Sequence, residues 1–97
     1  MLYRLEDRVA VAESNLIVWA RWFETADRCV NRTELGDILV STVFLGIDLN
    51  YAGGSPHIFE TMIFGSESEQ VYRRCSMWEE AERYHAEAVA LCQTTLN

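Results

Sequence analysis

Near neutral pH, histidine is the side chain whose own charge changes most readily, and this 97-residue chain carries two. His57 opens an apolar run after Gly53-Gly54-Ser55-Pro56, and Asp48 closes the apolar run before that loop. If the two runs pair as strands, Asp48 and His57 meet at the base of one loop with Ser55 nearby. The residue types are those of a Ser/His/Asp hydrolase, but the serine lacks the Gly-x-Ser-x-Gly surroundings that expose a nucleophile. The competing reading is a carboxylate and a histidine that tie down the ends of a loop. Two candidate ligands fall short of a typical metal site, so no metal is expected. No catalytic residue and no cofactor are expected either.

His85 lies on an apolar stripe with Trp78, Ala81, Ala88 and Cys92, at steps of three and four. There it is either an inward-facing base or ligand, or a core histidine satisfied by its neighbours. Gly53-Gly54 is a further candidate, because a glycine-rich backbone can approach a phosphate closely. It has no following helix or lysine, so it is not a P-loop. Together with Asp48, Asn50, Tyr51, His57 and the adjacent Arg73 and Arg74, whose guanidinium groups fork onto phosphate, it forms a candidate small-ligand site.

These residues need a scaffold. Met1–Leu5 and Arg8–Ala12 alternate, which predicts a hairpin across Glu6-Asp7 despite a turn without glycine or proline. Ser14 or Asn15 is placed to cap a helix, and Leu16, Trp19, Ala20, Phe23 and Ala26 recur at helical steps to about Asp27. Glu24 and Arg28 are spaced as an i,i+4 pair. Cys29–Arg32 reads as a short strand, and Thr33–Asp37 as a turn pivoting on Gly36. Ile38–Asp48 is apolar on both faces, with Val43, Leu45 and Ile47 on one and Val40 and Phe44 on the other. That predicts a central strand covered on both sides, or one face buried in an oligomer. Gly46 within it predicts a bulge or a close backbone approach.

After the loop, His57–Phe64 and Val71–Cys75 read as strands joined by a polar turn, Gly65–Gln70, that carries Glu67 and Glu69. Antiparallel pairing sets Glu60 near Arg74 or Arg73. Ser76-Met-Trp-Glu79 has the spacing of a capping box for the last helix, which should end near Leu91–Gln93. The order is β-β-α-β-β-β-β-α. The expected class is α+β, a small antiparallel sheet with two helices packed on one face, in a single domain over residues 1–97.

Charge narrows the partners. Fifteen acidic residues against eight basic ones give a net charge of −7, and every basic residue is arginine. Such a chain is repelled by phosphate backbones, so direct nucleic-acid binding is disfavoured and basic protein surfaces are favoured. Cys29, Cys75 and Cys92 are odd in number and lack CxxC spacing, which argues for reduced thiols rather than a disulfide framework. Cys92 falls on the helix stripe and reads as core. No signal peptide and no membrane span are expected, since the opening residues lack a basic segment followed by an apolar run.

The order Ser41-Thr-Val-Phe-Leu-Gly-Ile-Asp48, Gly53-Gly54, Phe59-Glu-Thr-Met-Ile-Phe-Gly65, Tyr72-Arg-Arg-Cys-Ser-Met-Trp-Glu-Glu-Ala81 and His85, with Trp19-Ala-Arg-Trp-Phe-Glu-Thr-Ala-Asp27 upstream, resembles small proteins encoded by bacteriophages and prophages. The resemblance implies a phage accessory protein acting in the host bacterial cytoplasm and carries no known catalytic residues. Small acidic proteins of that kind are often inhibitors of host defence, anti-CRISPR proteins among them. The leading expectation is therefore a protein that docks Glu67, Glu69, Glu79, Glu80, Glu82 and Glu87 on a basic surface of a defence effector such as a Cas protein. The alternatives are a protein that sequesters a nucleotide signal at the loop and arginines, and a virion or assembly accessory protein. The doubly apolar strand favours a homodimer.

Overall fold

The computed structural model describes residues 1–65 and 68–96. Glu67 lies outside the described residues. The fold is α+β, in the order expected from the sequence: β1 (Tyr3–Glu6), β2 (Val9–Ala12), α1 (Leu16–Thr25), β3 (Cys29–Leu35), β4 (Ile38–Phe44), β5 (Phe59–Phe64), β6 (Glu69–Cys75) and α2 (Trp78–Leu96). β1 and β2 form a separate antiparallel hairpin, while β3-β4-β5-β6 form a four-stranded antiparallel meander.

One face of the meander carries the core. Val40, Thr42 and Phe44 of β4 stand opposite Ile63, Thr61 and Phe59 of β5. α2 packs on this face with Ala81, His85, Ala88 and Cys92, all buried. α1 reaches it through Trp22, whose ring meets Phe44 edge-on at 5.8 Å. The contacts then run Phe44–Phe59 at 5.0 Å and Phe59–Trp78 at 6.3 Å, so an edge-to-face series links α1 to α2 through the two central strands. Such pairs contribute about 0.5–1.5 kcal/mol each beyond their buried area. Arg8 stands over Trp78 at 5.2 Å at one end, and at the other Trp22 meets the Phe23 ring at 6.3 Å, over which Arg28 stands at 4.1 Å.

Among the described residues, no helix packs on the opposite face of the sheet. Register places Leu39, Phe64 and Glu69 in one row, Ser41, Met62 and Val71 in the next, and Val43, Glu60 and Arg74 in the third. β3 adds Glu34, Arg32 and Cys29 to the ends of those rows. The two apolar faces expected of β4 are thus present, and α2 covers only one.

The N-terminal hairpin is latched to the end of β4. Tyr3 N donates to Gly46 O at 2.8 Å, Asp48 N to Met1 O at 3.2 Å, and Trp19 Nε1 to Tyr3 O at 2.9 Å. Gly46 has φ +78°, and a Cβ there would lie 3.4 Å from both the Trp19 ring and the Tyr3 carbonyl. This is the close approach that the glycine predicts. The hairpin turn uses Asp7 at φ 49° and Arg8 at φ 69°, a left-handed pair without glycine.

Several local expectations need correction. β4 stops at Phe44 rather than Asp48, β5 starts at Phe59 rather than His57, β6 starts at Glu69 rather than Val71, and α2 runs on to Leu96 rather than ending near Leu91–Gln93. β3 runs on to Leu35, so the turn shrinks to Gly36-Asp37. α1 ends at Thr25, which leaves Arg28 outside the helix; its guanidinium stacks on Phe23 and donates to Phe44 O at 3.1 Å instead of pairing with Glu24. α2 begins at Trp78, one residue later than the capping box requires, and the Ser76 hydroxyl donates to Pro56 O. Asn15 does cap α1, its Oδ1 accepting from Ile17 N at 3.0 Å and Val18 N at 3.1 Å.

Candidate functional site

Asp48 and His57 meet at the base of the loop, through backbone rather than ring. Asp48 Oδ1 accepts from the amides of Asn50 at 2.8 Å and His57 at 2.9 Å, and Leu49 N donates to His57 O at 3.1 Å. Those two amide hydrogen bonds favour the charged form and hold the Asp48 carboxyl below the ordinary aspartate value,. Asn50 Nδ2 donates to Gly53 O at 2.7 Å and to Ser55 O at 2.8 Å, closing the loop from inside. Gly53 and Gly54 sit exposed at φ +88° and +92°, and Tyr51 is 89% exposed at the tip. The loop is a projection held from inside by the hydrogen bonds of Asp48 and Asn50.

His57 instead joins a surface cleft of about 370 Å³, lined by Ser55, Arg74, Ser76, Glu80 and Tyr84 among others. Arg74 Nε donates to Glu60 Oε2 at 2.8 Å, the cross-strand pair expected from register. Arg73 turns the other way, its guanidinium 5.4 Å from the Tyr72 ring and 5.8 Å from Tyr84. Arg73 and Arg74 are consecutive in β6, paired with Thr61 and Glu60, so they point to opposite faces of the sheet,. The fold therefore brings His57 and Arg74 to one cleft, and leaves Asp48, Asn50, Tyr51, Gly53, Gly54 and Arg73 outside its lining. Cys75 also lines the cleft, and burial pushes its thiol up to about 11, so it is protonated near neutral pH,.

His85 is a core histidine with both ring nitrogens engaged. Nε2 is 2.9 Å from Thr33 Oγ1 and Nδ1 is 2.8 Å from Thr42 Oγ1. Thr42 Oγ1 in turn shares a 2.7 Å hydrogen bond with Thr61 Oγ1. Burial disfavours the imidazolium and lowers the His85 pKa,. The neutral ring donates from one nitrogen and accepts at the other, and rotation of the hydroxyls accommodates either tautomer. The threonines had a sequence signal, since Thr42 and Thr61 fall at inward positions of apolar strands, but only the pairing reveals them as partners.

The acidic residues gather on the outer side of α2. Glu79, Glu82 and Glu87 are exposed, and Glu80 is half-buried at the cleft. At 100° per residue, Glu82, Glu79 and Glu87 span about 140° of the circumference opposite the buried stripe, over about 12 Å of axis. Arg83 sits among them. Glu82 accepts from Trp78 Nε1, and Glu87 Oε2 accepts from the Tyr72 hydroxyl at 3.4 Å. Glu69 is exposed at the start of β6, opposite Phe64.

Among the described residues, no three histidine, cysteine, aspartate or glutamate side chains converge as metal ligands would, and no helix is long and apolar enough to cross a membrane. Comparison with protein-family models, with curated proteins and with solved structures returns no match.

Proposed function

We propose that this chain is an acidic binding protein, encoded by a phage, that inhibits a defence effector in the host cytoplasm, with a Cas effector as the target class. The observation that carries the reading is the outward glutamate surface of α2, Glu79, Glu82 and Glu87, joined by Glu80 at its margin. A helix held to the sheet along one buried stripe presents this surface as a rigid body. Arginine- and lysine-lined channels that hold nucleic acid are its complement, and like-signed nucleic acid is repelled. The groups with most chemical potential, Asp48 and His85, are committed to hydrogen bonds within the fold, so the reading is binding rather than catalysis. Self-association into a homodimer belongs to the same reading.

Binding of the purified chain to a panel of Cas effector complexes, at low and high salt, tests this. Affinity should fall steeply with salt, because exposed charge pairs are screened over about 8 Å at physiological ionic strength. Replacing Glu79, Glu82 and Glu87 by glutamine should weaken it at least about tenfold, or 1.4 kcal/mol. Undiminished binding by the triple variant would sink the acidic surface as the contact.

The shared cleft of His57 and Arg74 favours one second reading, sequestration of a nucleotide signal. In that case a cyclic or linear oligonucleotide should raise the melting temperature of the wild type and not of Arg74→Ala.

A further inference from the structure

The meander has two edges, β3 and β6. An open edge is a row of unpaired amides and carbonyls that templates another strand unless it is blunted. β6 is blunted in its middle by the bulge at Tyr72. The irregularity of β3 falls at its start, between Cys29 and Asn31, and leaves Asn31–Leu35 in unbroken register with β4.

The two-residue turn Gly36-Asp37 makes Leu35–Ile38 the closing hydrogen-bonded pair of its hairpin,. Alternation along an antiparallel ladder then commits the backbone of Asn31, Thr33 and Leu35 to β4, and turns that of Arg32 and Glu34 to the free edge. The Arg32 amide bears this out, because it is capped at 2.8 Å by the neighbouring Asn31 Oδ1 rather than by β4.

We infer that β3 is the contact between two copies of this chain, paired antiparallel about Thr33. In that register Arg32 lies opposite Glu34 of the second copy, and Glu34 opposite Arg32 of the second copy. Each such pair exchanges both backbone hydrogen bonds, the Arg32 amide giving up its acceptor Asn31 Oδ1 for the Glu34 carbonyl of the second copy, and sets opposite charges side by side,. Centring the pairing on Arg32 also satisfies the edge amides, but it sets Arg32 against Arg32, so charge selects Thr33. Arg32 and Glu34 are accessible to a second copy: their side chains are 59% and 69% exposed, and their 3.3 Å ion pair within one chain would be exchanged for pairs between copies.

The twofold axis runs normal to the sheet. The two α2 helices then lie on one side of a continuous sheet and both open faces on the other. The edge contact stands on its own geometry; only its use to double the glutamate surface rests on the proposed function.

Light scattering or sedimentation of the full chain tests the inference, over concentrations up to about 1 mM, the limit for weak contacts. The wild type should approach twice its 11.2 kDa mass. Arg32→Glu alone and Glu34→Arg alone each set like charges opposite one another, so each should stay monomeric while remaining folded by circular dichroism. An equimolar mixture of the two variants restores opposite charges at both positions, and should form a heterodimer. A wild type monomeric throughout would overturn the edge contact and the homodimer together. A dimer that persists in both single variants would overturn the edge contact alone. Neither outcome touches binding by the glutamate surface, which is read from affinity for an effector.

Discussion

His85 Nδ1 lies 2.8 Å from Thr42 Oγ1, at the centre of a chain of side chains that ties α2 to three strands through Thr33, Thr42 and Thr61. Burial lowers the folded-state pKa of this histidine below its ordinary value of 6.5. Above 6.5 the ring is neutral in both states and the network contributes fully. As pH falls below 6.5 the unfolded chain takes up a proton that the folded chain refuses, so stability declines until the folded pKa is passed. Urea midpoints should therefore fall between pH 7.5 and pH 5, and His85→Gln should flatten that slope. At pH 7.5, His85→Leu should cost about 1–3 kcal/mol, because hydroxyls at Thr33 and Thr42 lose their partner.

Arg8 occupies a left-handed conformation at φ 69° while its guanidinium stands 5.2 Å from the Trp78 ring. A side chain in that conformation costs roughly 1–2 kcal/mol, which glycine does not incur. Arg8→Ala keeps the strain and loses the stacking, so it should destabilise. Arg8→Gly should be more stable than Arg8→Ala by about 1 kcal/mol in chemical denaturation. Equal stabilities would show that the turn is not strained at this residue.

Gly46 joins the latch between the hairpin and the sheet. Gly46→Ala would place a Cβ at φ +78° within 3.4 Å of Trp19 and the Tyr3 carbonyl. The expected loss is about 1–3 kcal/mol, with faster hydrogen exchange at the Tyr3 amide, which donates to Gly46 O. An unchanged melting temperature would mean that the hairpin is not held by this approach.

Much of this architecture is legible in the sequence because it rests on local periodicity. The stripe Ala81, His85, Ala88 and Cys92 is buried as its spacing requires, and expected register narrows the partner of Glu60 to Arg74 or Arg73, of which Arg74 pairs. The loop base follows from a carboxylate and a histidine that flank one connection, although β4 ends at Phe44 and β5 starts at Phe59, short of both. What escaped depends on distant partners. Thr33-Glu-Leu35 reads as part of a turn, yet completes an edge strand whose partner β4 lies downstream. Arg8 tolerates its left-handed turn next to an aromatic ring some seventy positions away, on the order of what only tertiary structure can bring together,. Ser76 has a cap's spacing, but its hydroxyl donates to the Pro56 carbonyl across the cleft.

The central claim is that the outer glutamates of α2 disarm a defence effector. Its most direct test is the plating efficiency of a CRISPR-targeted phage on cells that express the chain. We predict that the wild type restores plaques on at least one CRISPR type, and that a chain with Glu79→Gln, Glu82→Gln and Glu87→Gln, folded and equally expressed, does not. Restoration undiminished by the triple substitution, or immunity left intact by the wild type on every CRISPR type tried, would contradict the account.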